Sequence, residues 1–171
     1  MRAGPGTGKT WCSVQLTNTL AERCKTHSAG QCLPLVPVLV YVQRVSRMLE
    51  GRDVNLPLDE RVLLQYFAHE FSEPDQLKTL TMLTMALEMR SLVVMLDGID
   101  EAAGRKKTIS TFVREVLVPS GVRVVCTSRP EGVRLKEFAS RFAIFDLNKL
   151  TDEQQRIALR QQLAHTGSAP K

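Results

Sequence analysis

Near its N-terminus the chain reads Ala3-Gly4-Pro5-Gly6-Thr7-Gly8-Lys9-Thr10, and this loop restricts the possible folds more than any other feature. Ala3, four free positions, then Gly8, Lys9 and Thr10 meet the spacing of a phosphate-binding loop, with alanine in the first position where glycine is commoner. Gly4, Gly6 and Gly8 let backbone amides turn inward without steric cost, and such amides cradle phosphates. Pro5 and Thr7 complete the cradle. A helix that begins where the loop ends aims its orphan amides and its dipole at the same anion. Lys9 is placed to reach the β- and γ-phosphates, and Thr10 to offer its hydroxyl to Mg2+. The ligand expected from these residues is a nucleoside triphosphate with magnesium.

A loop of this kind follows a β-strand and opens a helix. The helix is legible over residues 10–24, where Val14, Leu20, Ala21 and Cys24 can share a face. The strand is not, because only Met1 and Arg2 precede the loop. The sequence therefore predicts an N-terminally truncated domain without its first strand. Such a domain, if it starts at Met1, should show open pairing edges, poor solubility and weak nucleotide affinity. Buried strands are expected over residues 36–42, 92–96, 122–126 and 142–146, with Pro37 at a strand start or on an edge.

Helices are expected over 59–71, capped by Asp59 and buried through Leu63, Tyr66, Phe67 and Phe71, and over 75–90, with a stripe of Leu77, Leu80, Leu83 and Leu87. Another spans 108–118. The last opens at Thr151, with Gln154 completing a capping box. Near-continuous apolar strands alternating with helices predict an α/β fold of three layers, the P-loop NTPase arrangement, with a mainly parallel sheet and helices on both faces. One domain should cover residues 1–165, followed by a flexible tail over 166–171.

Two strand ends carry further chemistry. The run 92–96 leads into Asp97-Gly98-Ile99-Asp100-Glu101. Ligands of open α/β sheets bind at the carboxyl ends of the strands, so Asp97 is the candidate magnesium partner, acting through water. Asp100 or Glu101 can orient or deprotonate an attacking water. The structural alternative is that both cap the helix at Ala102-Ala103. Three acids beside one phosphate loop favour chemistry. The run 122–126 leads into Thr127-Ser128-Arg129-Pro130, where Arg129 can touch a γ-phosphate and report its presence. Taken alone, Arg129 reads as a surface arginine in a turn.

Together, the phosphate loop, Asp97-Gly98-Ile99-Asp100-Glu101 and Thr127-Ser128-Arg129-Pro130 resemble a NACHT domain, a branch of the signal-transducing STAND-class P-loop NTPases that includes NOD-like receptors. The likeness extends to Leu35-Val36-Pro37-Val38-Leu39-Val40 and to Leu150-Thr151-Asp152-Glu153-Gln154. It implies ATP and ADP as ligands with Mg2+, and a switch between a resting and an assembling state. It implies that Lys9 and Thr10 hold phosphate and magnesium and that Asp97 serves the metal. By the same likeness Asp100 and Glu101 support slow hydrolysis, and Arg129 acts as the sensor. The implied partners are other protein modules or further copies of the chain.

Composition narrows the alternatives. The net charge of +5 is spread among acids, the longest basic run being Arg105-Lys106-Lys107 at a solvated helix start, which speaks against a nucleic-acid-dependent motor. The chain also shows no aromatic stacking platform for one. No apolar run reaches the roughly 18 residues that cross a bilayer, and no signal peptide precedes the loop, so the cytoplasm is expected. Cys24, His27 and Cys32 lack a fourth zinc ligand. Cys126 should be a small core residue, and Met82, Met85, Met89 and Met95 gap-filling core. A non-hydrolysing scaffold that holds ATP or ADP is the second reading. A small-molecule kinase is weaker, because no lid or substrate pocket is legible.

Overall fold

The computed structural model describes residues 1–26 and 35–166. Its elements run β1 (Arg2–Ala3), α1 (Lys9–Thr26), β2 (Val36–Tyr41), α2 (Val42–Met48), α3 (Arg61–Glu70), α4 (Leu77–Glu88), β3 (Leu92–Asp97), α5 (Lys106–Phe112), β4 (Arg123–Cys126), α6 (Leu135–Phe138), β5 (Asp146–Leu147) and α7 (Asp152–Thr166). The short helices α2 and α6 were not legible in the sequence. α5 continues into a wider π-type turn over Val113–Leu117.

Every residue of β3 is buried, which requires cover on both faces of the sheet. β2 and β4 flank it in parallel, with Val38 opposite Val94 and Val94 opposite Val124. Val38, Val40, Leu92, Val94 and Leu96 point into one core with Leu63 and Phe67 of α3, Leu83 and Leu87 of α4, and Ile109 of α5. α1 packs against β2 and β3. The α/β architecture with a parallel sheet stands as expected.

The strand expected to be missing ahead of the loop is represented by β1. It is two residues long and hydrogen-bonded on both sides. Arg2 N–H donates to Phe145 O at 2.7 Å, Ala3 N–H to Ser128 O at 3.0 Å, and Ser128 N–H to Met1 O at 3.1 Å. β1 pairs in parallel with β5, and a parallel bridge joins Arg2 to Ser128 just beyond β4. The strands thus form two sheets, β2-β3-β4 and β1-β5, linked by that bridge. A two-point ion pair, Arg2 to Asp146 at 2.7 Å, pins the junction and holds the Asp146 carboxyl below its usual range.

The expected strand at 142–146 is corrected by this geometry. Only Asp146–Leu147 is strand, because a ladder needs a neighbour and β1 reaches no further. Residues 142–145 and β4 instead flank an apolar cavity of about 560 Å³ lined by Val124, Cys126, Phe138, Phe142 and Phe145 among others.

Cys126 packs against the core as a small residue, half-buried where it borders this cavity. Other expectations changed too. Met95 is buried, but Met82, Met85 and Met89 are 47%, 53% and 55% exposed and line a shallow groove on α4 with Leu77. α4 turns Leu83, Ala86 and Leu87 inward, so its buried stripe is narrower than the leucine spacing implied. Arg105 is buried, not solvated: it donates to the carbonyls of Leu49, at 2.7 Å, and Arg52, satisfying groups at the end of α2. The capping box at α7 is present in both directions, Thr151 N–H to Gln154 Oε1 at 2.9 Å and Gln154 N–H to Thr151 Oγ1 at 3.3 Å. Asp59 Oδ1 accepts from Arg61 N–H at 3.0 Å at the start of α3. The tail lies outside the described residues save Thr166. Among the described residues, no helix is long and apolar enough to cross a membrane.

Two outcomes follow from burial. Phe67→Ala removes a fully buried ring and should cost about 3–5 kcal/mol in urea unfolding, whereas Met85→Ala should change stability by no more than about 0.5 kcal/mol. Burial pushes the Cys126 thiol up to about 12 from an ordinary value of 9.0. The folded state then keeps a proton that the unfolded state loses, so this contribution to stability is whole below pH 9 and declines as pH rises from 9 toward 12. Iodoacetamide at pH 9, mapped by mass spectrometry, should leave Cys126 unmodified until urea is added.

Candidate functional site

The loop between β1 and α1 turns through Gly6 and Gly8, at φ of 72° and 83°, values that side chains disfavour. The Thr7 hydroxyl donates to Gly4 O at 2.7 Å and closes the turn. α1 starts at Lys9, so the loop's amides and the helix N-terminus face the same space. The Lys9 ammonium lies 3.7 Å from Asp100 Oδ1 and 3.5 Å from Glu101 Oε1. Its nitrogen is buried and has no hydrogen-bond partner. A buried ammonium held by two ion pairs but no hydrogen bond, beside a glycine-rich turn and a helix N-terminus, fits a phosphate.

Asp97 ends β3 and is 3% exposed. Its Oδ2 accepts from Thr10 Oγ1 at 2.7 Å. Its Oδ1 accepts from Ser13 Oγ at 3.0 Å and from Thr127 Oγ1. Thr127 Oγ1 also accepts from Gly98 N–H at 3.0 Å, so one hydroxyl fixes both the carboxylate and the backbone turn behind it. Gly98 sits at φ 83°, and a Cβ there would come within 2.9 Å of Glu101 Cδ. Thr10 and Asp97 thus stand side by side, a pair of oxygen ligands suited to Mg2+ held mainly by phosphate and water. Among the described residues no group of three or more His, Cys, Asp or Glu forms a metal cage by itself. Of the zinc candidates, the Cys24 thiol donates to Leu35 O at 2.6 Å, while His27 and Cys32 lie outside the described residues.

Asp100 and Glu101 lie in the first turn of the 3₁₀ segment Ile99–Glu101, whose cap position is Gly98. Asp100 is an ion-pair centre: Arg129 N–H donates to Oδ1 at 3.0 Å, Arg129 Nε lies 3.2 Å from Oδ2, and the Lys9 ammonium lies 3.7 Å from Oδ1. The Asp100 side chain is only 8% exposed, whereas that of Glu101 is 44% exposed. Arg129, at the end of the β4 segment, is bound to Asp100 rather than loose in a turn. The structure therefore brings Lys9, Thr10, Asp97, Asp100, Glu101 and Arg129 to one sheet edge beside the loop of Gly4, Pro5, Gly6, Thr7 and Gly8.

Two residues that hold Asp97 were given no role in the sequence: Ser13, outside every motif, and Thr127, quoted only as part of Thr127-Ser128-Arg129-Pro130. Each had a signal. Ser13 is one helical turn beyond Lys9 and Thr10, on the face turned to the sheet. Thr127 is a hydroxyl residue ending an apolar strand beside the one that bears Asp97. A second hollow, of about 390 Å³, opens on the outer side of the loop between Thr7, Trp11, Leu147, Leu150 and Gln155.

Thr127→Val keeps the shape and removes two buried hydrogen bonds, so unfolding free energy should fall by about 1–3 kcal/mol in a denaturant titration. A smaller loss would show that Asp97 is fixed by its other donors alone.

The NACHT domain family model matches residues 3–166. No curated protein and no solved structure matches the chain.

Proposed function

The chain belongs to the NACHT family of P-loop NTPases, and from that premise we propose that it binds MgATP, hydrolyses it slowly and serves as the nucleotide-switch core of a signalling protein. The observation that carries this is the buried Lys9 ammonium, without a hydrogen-bond partner, between the loop and two carboxylates. Family membership implies nucleotide binding, generally with Mg2+.

In this reading the loop amides and Lys9 bind and orient the β- and γ-phosphates. Thr10 and Asp97 would hold the magnesium, which would supply positive charge against that of the phosphates. Glu101 is the more accessible acid and takes the proton of an attacking water. Asp100 holds Lys9 and Arg129 in position, and Arg129 senses the terminal phosphate. The hollow beside Trp11 offers the nucleoside an apolar wall. Self-association, or contact with other protein modules, belongs to the same proposal as the output of the switch.

A non-hydrolysing scaffold is the second reading, favoured by one fact: both candidate bases are already ion-paired, Asp100 with Lys9 and Arg129 and Glu101 with Lys9. Single-turnover phosphate release separates the two. Wild type should release phosphate from bound MgATP. Glu101→Gln should slow release by about 10²-fold or more and keep MgADP affinity within about threefold, and Lys9→Ala should abolish binding. Tight MgATP binding with no release would sink the enzyme and leave the scaffold.

A further inference from the structure

Gly132 lies outside every motif that the sequence singled out, yet the acidic loop rests on it. It ends the 3₁₀ turn Pro130–Gly132, and its N–H donates to Arg129 O at 2.9 Å. A Cβ added to Gly132 would lie 2.4 Å from Asp100 Cβ, 3.1 Å from Asp100 Cα and 2.4 Å from Ser128 Oγ. The hydroxyl of Ser128 can rotate away. The Asp100 atoms cannot, because they belong to the backbone and its first side-chain carbon. Backbone strain is not the reason for glycine here, since Gly132 is not among the glycines of positive φ. Close approach of two backbones is the reason.

We propose that Gly132 is a positioning residue for Asp100: its missing side chain lets the turn after Arg129 press on the acidic loop, which sets the carboxylate between Arg129 and Lys9. The geometry of the clamp shows why contact matters. Arg129 uses two groups at once, its backbone N–H on Oδ1 at 3.0 Å and its Nε by Oδ2 at 3.2 Å. A backbone donor cannot follow a displaced carboxylate as a flexible side chain can. Any side chain at 132 must move the two loops apart by several tenths of an ångström, and the backbone bond is the first to lengthen. Lys9, 3.7 Å from the same Oδ1, then loses one of its two ion-pair neighbours. The consequence for ATP rests on the reading of Asp100 and Arg129 given above; the clamp itself does not.

The test therefore begins without nucleotide. Amide hydrogen exchange of Arg129, followed by ¹H–¹⁵N spectra of the chain, should be slow in wild type. It should speed up at least tenfold in Gly132→Ala and in Asp100→Ala, and stay unchanged in Gly104→Ala, a glycine with open space around it. The double variant Gly132→Ala/Asp100→Ala should exchange no faster than Asp100→Ala alone, because both act through one carboxylate. Unchanged exchange in Gly132→Ala, or effects of the two substitutions that multiply, would overturn the proposal.

If Gly132→Ala does not fold, adding Asp100→Gly removes the colliding Cβ and should restore folding; failure to do so would count against the contact. A second arm measures phosphate release from bound MgATP. Gly132→Ala should lower it at least tenfold with MgADP affinity kept within threefold. If wild type releases no phosphate, the hydrolysis reading falls while the exchange data still decide the role of Gly132.

Discussion

The carboxylate of Asp97 joins three elements. It ends β3, takes hydroxyl donors from α1 through Thr10 and Ser13, and takes a third from Thr127 at the end of the β4 segment. A carboxylate that is 3% exposed survives only if its oxygens are satisfied, since leaving a buried charge unpaired is costly. Here the satisfying groups are three hydroxyls, two of them from the helix that follows the glycine-rich loop. The same bonds that make the acid tolerable also fix the distance between loop and sheet edge. Thr127 adds a second constraint by accepting from Gly98 N–H, which aims the following turn and its two acids back at Lys9.

Charge balance completes the site. Lys9, Asp100, Glu101 and Arg129 form a chain of alternating sign, two cations and two anions, over a few ångströms. Its ends differ. Glu101 and Arg129 are about half exposed and water screens them, so they add little to stability. Lys9 and Asp100 are shielded, and their pairing offsets a desolvation cost instead of adding to it. An ammonium held by ion pairs longer than hydrogen bonds is restrained without being saturated.

The sheet explains why this edge is a site at all. β2, β3 and β4 end at the same level because their parallel register is continuous, and β1 delivers the loop beside them through three hydrogen bonds. β1 is brief, so its position depends on Ser128, Phe145 and the Arg2–Asp146 pair. Beyond it, β4 and residues 142–145 face each other across an apolar gap. The expected fourth strand is short for that reason: pairing is a property of two segments, and apolar content in one of them cannot supply it.

What was legible in the sequence follows a local rule in each case. The loop from Ala3 to Thr10, the strands at 36 and 92, the acids after β3, the arginine after β4 and the capping box at Thr151 all depend on residue type at fixed spacing. Backbone periodicity and turn chemistry act over a few residues, so sequence alone determined them, and with them the family. Only the tertiary structure decided what depends on distance across the chain. It turned Met82, Met85 and Met89 outward and Arg105 inward, and it recruited Ser13 and Thr127 to Asp97. It gave Asp100 to Arg129 and put Gly132 against Asp100, 32 positions away. Those outcomes come from which surfaces meet when the parallel sheet closes, and no spacing along the chain encodes a meeting of that kind.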